Sequence, residues 1–148
     1  MRARLAAVLS AAALTAGTLL AAPAAHAQTA ADPVSTFRVA SGNTYTAGTL
    51  TWHARSVTVA GEHKSVSNAG LPFCRATWAY TLNSAGGELG QNGSLDSVVC
   101  GVSGNFSFTV PADVPGGAAF VRVCLDDGNF KDLVCNRFGP RPAGQRAR

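Results

Sequence analysis

Four cysteines, Cys74, Cys100, Cys124 and Cys135, follow an amino-terminal stretch built like an export leader, and nothing else in the chain limits its fold as strongly. Met1, Arg2 and Arg4 give a basic start, residues 5–20 are apolar apart from a few small polar residues, and Ala25-His26-Ala27 forms an A-x-A pattern before Gln28. A basic start, a short apolar middle and small residues at the cleavage point define a secretory signal peptide. The apolar run is shorter than the roughly 20 residues that span a bilayer, and Pro23 favours cleavage over anchoring. No cysteine stands at the cleavage point, the start has no adjacent arginine pair, and no second apolar stretch follows. The expectation is general secretion and release into the extracellular space, with no stable membrane anchor.

An even number of cysteines in a small exported chain points to two disulfides. Zinc is the rival for four cysteines, but these are spaced 26, 24 and 11 residues apart and include no C-x2-C pair. A catalytic thiol is disfavoured, because an oxidising compartment would pair it. Three connectivities remain open at this point.

Removing residues 1–27 leaves about 120 residues, enough for one domain with a modest core. Arg2 and Arg4 leave with the leader, and Arg141, Arg146 and Arg148 sit in a Pro/Gly tail, so the body between carries seven basic and eight acidic residues. The basic character of the chain therefore belongs to its ends, and no nucleic-acid surface is expected. The lack of isoleucine and the ten Arg against two Lys suggest GC-rich bacterial coding.

No stretch after the leader keeps a helical period. Leu50 and Trp52 alternate with polar residues, Val57 and Val59 alternate in the opposite phase, and this phase flip predicts a bulge near Arg55-Ser56. Cys74, Ala76, Trp78, Tyr80 and Leu82 share one parity, which reads as a strand with Trp78 in the core. Further strands are expected at residues 95–100, 106–110, 118–125 and 133–137. Short strands between turns predict an all-β fold, a small immunoglobulin-like β-sandwich of about seven strands. The resemblance is to the fold only. Trp78 shares a strand with Cys74, and Val98 and Arg122 stand where antibody-type domains carry a corner tyrosine, so no family function is carried over. The expected organisation is a signal peptide over 1–27, a flexible lead-in over 28–36, the β-sandwich domain over 37–139 and a disordered Pro/Gly/Arg tail over 140–148.

The last hairpin can be read in register. Asp126-Asp127-Gly128-Asn129 is strong turn chemistry. A loop over residues 128–131 sets Cys124 opposite Cys135 and Leu125 opposite Val134. Cys74 is then left for Cys100, as a core-side staple across the preceding hairpin. In this register Val121, Val123, Leu125 and Val134 face the core, while Phe120, Arg122, Cys124, Cys135 and Arg137 face away. Arg122 falls across from Arg137, and opposed like charges are unfavourable. Either an anionic partner or a docking face with Phe120 compensates them or, as the preferred reading, a salt bridge from each Arg to a neighbouring-strand carboxylate such as Glu62 or Asp96 does.

Asp126, Asp127 and Asp132 crowd one turn. Calcium is the lesser alternative there, because the order of an EF-hand loop is missing; no metal or other cofactor is expected. Catalytic chemistry is sparse. Gly101-Val102-Ser103-Gly104-Asn105 fails the G-x-S-x-G elbow at its last position, and the two histidines beyond the leader, His53 and His63, are read as solvent-facing and turn residues. Phe73, beside Leu71-Pro72, and Phe130, at a hairpin tip, are apolar residues in loops. The sequence therefore predicts a secreted, non-catalytic binding protein that engages an extracellular protein or surface ligand through loop tips. Phe73, Phe120, Arg122, Phe130 and Arg137 are the candidate contacts. The alternatives are a small inhibitor of an extracellular hydrolase and a compact hydrolase using His53 or His63.

Overall fold

A computed structural model describes residues 31–140; the expected signal peptide over 1–27, the first residues of the expected lead-in, 28–30, and the tail residues 141–148 lie outside the described residues. Eight strands form: β1 (Val34–Ser41), β2 (Thr44–Trp52), β3 (Ser56–Lys64), β4 (Ala76–Leu82), β5 (Glu88–Gly93), β6 (Ser103–Pro111), β7 (Phe120–Asp126) and β8 (Asp132–Phe138). They make two antiparallel sheets, ordered β1-β2-β3-β6 and β5-β4-β7-β8. Phe37, Val39, Leu50, Val57, Val59, Phe106 and Val110 from the first sheet meet Ala79, Val121, Val123 and Leu125 from the second in one apolar core.

The all-β prediction holds, with eight strands instead of about seven and two disulfides as expected. Strand β1 begins inside the segment expected to be a flexible lead-in. Val34, Ser35 and Thr36 pair with Thr51, Leu50 and Thr49. Ser35 is buried and accepts the Trp52 indole N–H at 2.9 Å, which gives this polar start a fixed place. The phase flip near Arg55 is a hairpin, not a bulge: β2 and β3 pair through Trp52 and Val57, and His53 N–H donates to Ser56 O at 2.9 Å. The expected strand over 95–100 is a short 3-10 turn, Leu95–Ser97, followed by an isolated bridge between Val99 and Arg75. Strand β5 escaped notice because Glu88–Gly93 has no apolar alternation.

The largest difference concerns β4. Thr77, Ala79 and Thr81 face the core, opposite Leu125, Val123 and Val121, so Trp78 and Tyr80 lie on the outer face of the sheet. Two arrangements compensate this inversion. Inside, Thr77 Oγ1 meets Thr46 Oγ1 at 2.7 Å and His63 Nδ1 at 3.1 Å, while Thr81 Oγ1 donates to Pro111 O at 2.5 Å. Outside, the Trp78 ring covers Gly93, where a Cβ would come within 2.1 Å of the ring; its indole N–H donates to Gln91 Oε1 at 3.2 Å. A buried threonine costs little when its hydroxyl is bonded, and a glycine opposite lets a tryptophan lie flat on an outer face.

His63, expected in a polar turn, is instead wholly buried in β3 and stacked on Phe106 with ring centroids 5.0 Å apart. Its Nε2–H donates to Ser97 O, which ties the first sheet to the β5–β6 connection. Burial lowers its pKa, against the opposing effects of the Ser97 hydrogen bond and the nearby Glu62 charge.

Candidate functional site

The registers gather three connections at one end of the sandwich. Lys64 pairs with Ser103, Trp78 with Gly93, and Ala76 with Asp126, which in turn pairs with Asp132. Residues 65–75, 94–102 and 127–131 therefore emerge side by side. The Cys74–Cys100 disulfide joins the first two of these loops. Two backbone bonds between Arg75 and Val99, at 2.8 and 3.0 Å, flank it. Cys74 is buried and Cys100 exposed, and the bond closes the open end of the β4–β5 hairpin, as expected, one residue beyond the Arg75–Val99 bridge. Ser65 extends the junction: its N–H donates to Val102 O, and its Oγ donates to Phe73 O and accepts from Gly101 N–H. The third loop is tied in by Gly128, whose N–H donates to Leu71 O at 2.8 Å; a Cβ there would lie 2.7 Å from that oxygen.

The second disulfide, Cys124–Cys135, staples β7 to β8 in the expected register. The turn beyond it is held by Asp127, whose Oδ1 accepts from Asn129 N–H at 2.8 Å and Lys131 N–H at 3.1 Å. Burial pushes the Asp127 carboxyl up, but these hydrogen bonds outweigh it and hold its pKa below the ordinary value.

This rigid end is apolar at its tips. Val66, Leu71, Phe73, Leu95, Val102 and Phe130 are exposed on the three loops, and exposed Leu133 is the extra residue of the bulge where β8 begins. Among the described residues, Val34 is the one other exposed large apolar side chain, at the opposite end. Phe73 is half exposed in the 3-10 turn Leu71–Phe73. Phe130 holds a positive φ of 59°, uncommon for a side chain of its size, and sets its ring edge-on to Trp78 at 5.8 Å.

Phe120, Arg122 and Arg137 lie apart from the loop tips, on the outer face of the second sheet. Arg122 stands opposite Arg137 as the register required. A carboxylate does pair with Arg122, but it is Glu88 and not Glu62 or Asp96. Arg122 lies over the Tyr80 ring at 4.1 Å, with Glu88 3.7 Å away, and Arg137 lies over Phe120 at 4.6 Å. Each guanidinium is thus stacked on its own aromatic ring, a favourable cation–π contact. Glu62 accepts from the Tyr45 hydroxyl instead, and that bond, with burial and the Glu62 charge, raises the tyrosine pKa.

The three aspartates do not converge as a calcium cage. Asp127 is committed to backbone N–H groups. The described side chains close enough to share an ion are Cys124, Asp132 and Cys135, and both cysteines are in the disulfide. Asp126 is fully buried at the base of the loop, and both its oxygens lack a hydrogen-bond donor among the described residues. Burial first, then the charge and hydrogen bonding of Asp132 and the charge of Asp127, push its pKa up to about 7.

At the other end of the sandwich, a cavity of about 380 Å³ is lined by Asp32, Pro33, Trp52, His53, Ala54, Gly116, Ala118 and Pro140. His53, expected to face solvent, bridges Asp32 Oδ2 at 2.6 Å through Nδ1 and Thr58 Oγ1 at 2.9 Å through Nε2. Sequence spacing gave no sign of this relay, because its members lie on three separate segments. The buried state of Asp126 and the outward aromatics Trp78 and Tyr80 were missed as well; Gly93 and Gly128, each needed for a close approach, were the available signals. No protein-family model, curated protein or solved structure gives a significant match to this chain.

Proposed function

We propose that this chain is a secreted, non-catalytic binding domain of immunoglobulin-like type that seizes an extracellular protein through its β3–β4, β5–β6 and β7–β8 loops. The observation that carries the reading is the segregation of exposed apolar side chains to that end, on loops cross-linked to one another by a disulfide and by hydrogen bonds. Contiguous exposed apolar surface on a soluble domain marks interaction sites, and loops fixed beforehand avoid most of the ordering cost of association. The topology supports the fold type. Without β1, the order is β2-β3-β6 over β5-β4-β7-β8, the seven-strand arrangement with the fourth strand moved to the opposite sheet. Two disulfides suit export. An inhibitor of an extracellular hydrolase is one form such binding takes.

The test is affinity capture from native culture fluid and cell envelope, run in parallel with wild type and with Phe73→Ala and Phe130→Ala. Aromatic anchors at an interface are worth about 2 kcal/mol each, near thirtyfold in affinity. A partner held by wild type and lost by both variants, with their melting temperatures unchanged, is the expected result. Identical proteins on all three columns, or variants that melt early, would sink the reading.

A second reading rests on the Asp32–His53–Thr58 relay beside the cavity. A hydroxyl bonded to an imidazole that a carboxylate orients is the arrangement of an activated nucleophile. That reading expects turnover on a panel of small esters, abolished in His53→Ala; an inert wild-type protein ends it.

A further inference from the structure

Asp126 and Asp132 are partners in the β7–β8 register at the step where the bulge interrupts the ladder, and the loop carrying Phe130 springs from this pair. Both Asp126 oxygens are buried without a donor, and the residue directly across the ladder from them is a second carboxylate, Asp132. Two carboxylates are both acceptors, so one proton held between them satisfies the pair, and its loss leaves the buried Asp126 charged beside the like charge of the exposed Asp132. Among the described residues no donor reaches the Asp126 oxygens themselves. Asp127 in the loop adds to the charge, and Lys131 bears on Asp127. Tyr80 on β4 points its hydroxyl at Asp132 Oδ1 from 3.5 Å. Arg122 on β7 lies over the Tyr80 ring, and Arg75 before β4 is spent on Thr44 Oγ1 and the carbonyls of Pro72 and Cys74.

We propose that the Asp126–Asp132 pair is a proton-operated latch for the binding end. With one shared proton the β7–β8 loop is closed and Phe130 stays seated on Trp78; without it the loop loosens and the apolar end loses its preset shape. The inference rests on the binding reading above for its consequence, though the latch itself is a property of the free protein. The strained φ of Phe130 makes its seat depend on the loop base. The raised Asp126 pKa places the change near neutral pH, with the closed form on the acid side.

The experiment follows the Asp126 side-chain carboxyl carbon, the Trp78 indole N–H and the Phe130 amide by NMR from pH 5 to 9, in wild type and in Asp126→Asn. The expected result is one common inflection near pH 7 in all three wild-type signals. In Asp126→Asn, whose amide can donate to Asp132 at every pH, the Trp78 and Phe130 signals should stay at their acid-side positions. An Asp126 carboxyl that titrates below pH 5, or one that titrates near 7 while Trp78 and Phe130 stay still, overturns the latch. Millimolar calcium that restores the acid-side signals at pH 8 overturns it in favour of a cation site. For any partner captured at pH 6, affinity should fall at least tenfold at pH 8 for wild type and not for Asp126→Asn. Equal affinity at both pH values overturns the gating, whereas absence of any partner strikes the binding reading and leaves the free-protein titration intact.

Discussion

The two ends of this sandwich are closed by different means. At one end, three loops are joined by the Cys74–Cys100 disulfide, by Ser65 and by Gly128, with Cys124–Cys135 bracing the third loop from below. At the other end no disulfide is present among the described residues. Its connections rest on backbone turns, the exposed Arg55–Asp113 ion pair and the half-exposed Asp32–His53 pair. Covalent restraint thus coincides with exposed apolar surface. A loop with apolar tips tends to collapse onto itself or onto the core, and cross-links hold it out in one shape at a cost met once, in the unfolded state. The other, polar end exposes one large apolar side chain among the described residues, Val34, and so has less apolar surface to hold out.

The sharpest way to break this contrast is to remove its covalent side. Replacing Cys74 and Cys100 together by alanine opens a closed loop of 26 residues, worth ~3.5 kcal/mol by loop-closure entropy. The same change at Cys124 and Cys135, across 11 residues, should cost ~2.8 kcal/mol. Urea unfolding reads both, and values no larger than those for substitutions at the polar end would dissolve the distinction.

Next comes pH. Asp126 has a folded pKa raised from 3.8 to about 7, so the folded state binds an extra proton between those values. Its contribution is therefore fully present at low pH and is lost as pH rises through 7. His63 has its folded pKa lowered from 6.5 by burial, so its contribution is present above 6.5 and is lost as pH falls through the lowered value. Below 6.5 the two effects oppose each other, and between 6.5 and about 7 the Asp126 loss stands alone. Asp126→Asn should remove the alkaline limb and gain ~2 kcal/mol at pH 8, with little change at pH 4. An alkaline limb that persists in this variant would move its origin elsewhere.

At the polar end, His53→Ala or Asp32→Asn should cost under ~1 kcal/mol, since the pair is substantially exposed. The smallest effect belongs to Arg55→Ala. Its partner Asp113 is mostly exposed too, and a change in melting temperature within experimental scatter is expected. A large loss at either site would show that the polar end is braced as firmly as the apolar one.

The β7–β8 hairpin was readable as far as Leu125 and Val134, beyond which a bulge at Leu133 sets Asp126 against Asp132 and lengthens the expected 128–131 loop by one residue. Its turn residues and alternation set Cys124 against Cys135 and Arg122 against Arg137, and the register agrees. Local chemistry sufficed because the pairing strands are neighbours in sequence. The binding candidates were only partly gathered: Phe73 and Phe130 lie on the joined loops, while Phe120, Arg122 and Arg137 share the outer sheet face. What brings the loops together is the pairing of β3 with β6 and of β4 with β7, and nothing local announces those pairs.

By itself, the sequence determined the all-β class, two disulfides and the register of the last hairpin, because period-2 alternation, cysteine parity and turn residues act over a few positions. The tertiary structure decided which way β4 faces. Thr77 and Thr81 turned inward because Thr46, His63 and Pro111 O were there to bond them, and Trp78 turned outward because Gly93 gave it a flat seat. It also buried His63 and Asp126 and brought the apolar tips to one end. Each of these outcomes depends on partners dozens of residues away, where the deciding energy lies in hydrogen bonds and packing that exist only once the sheets have met.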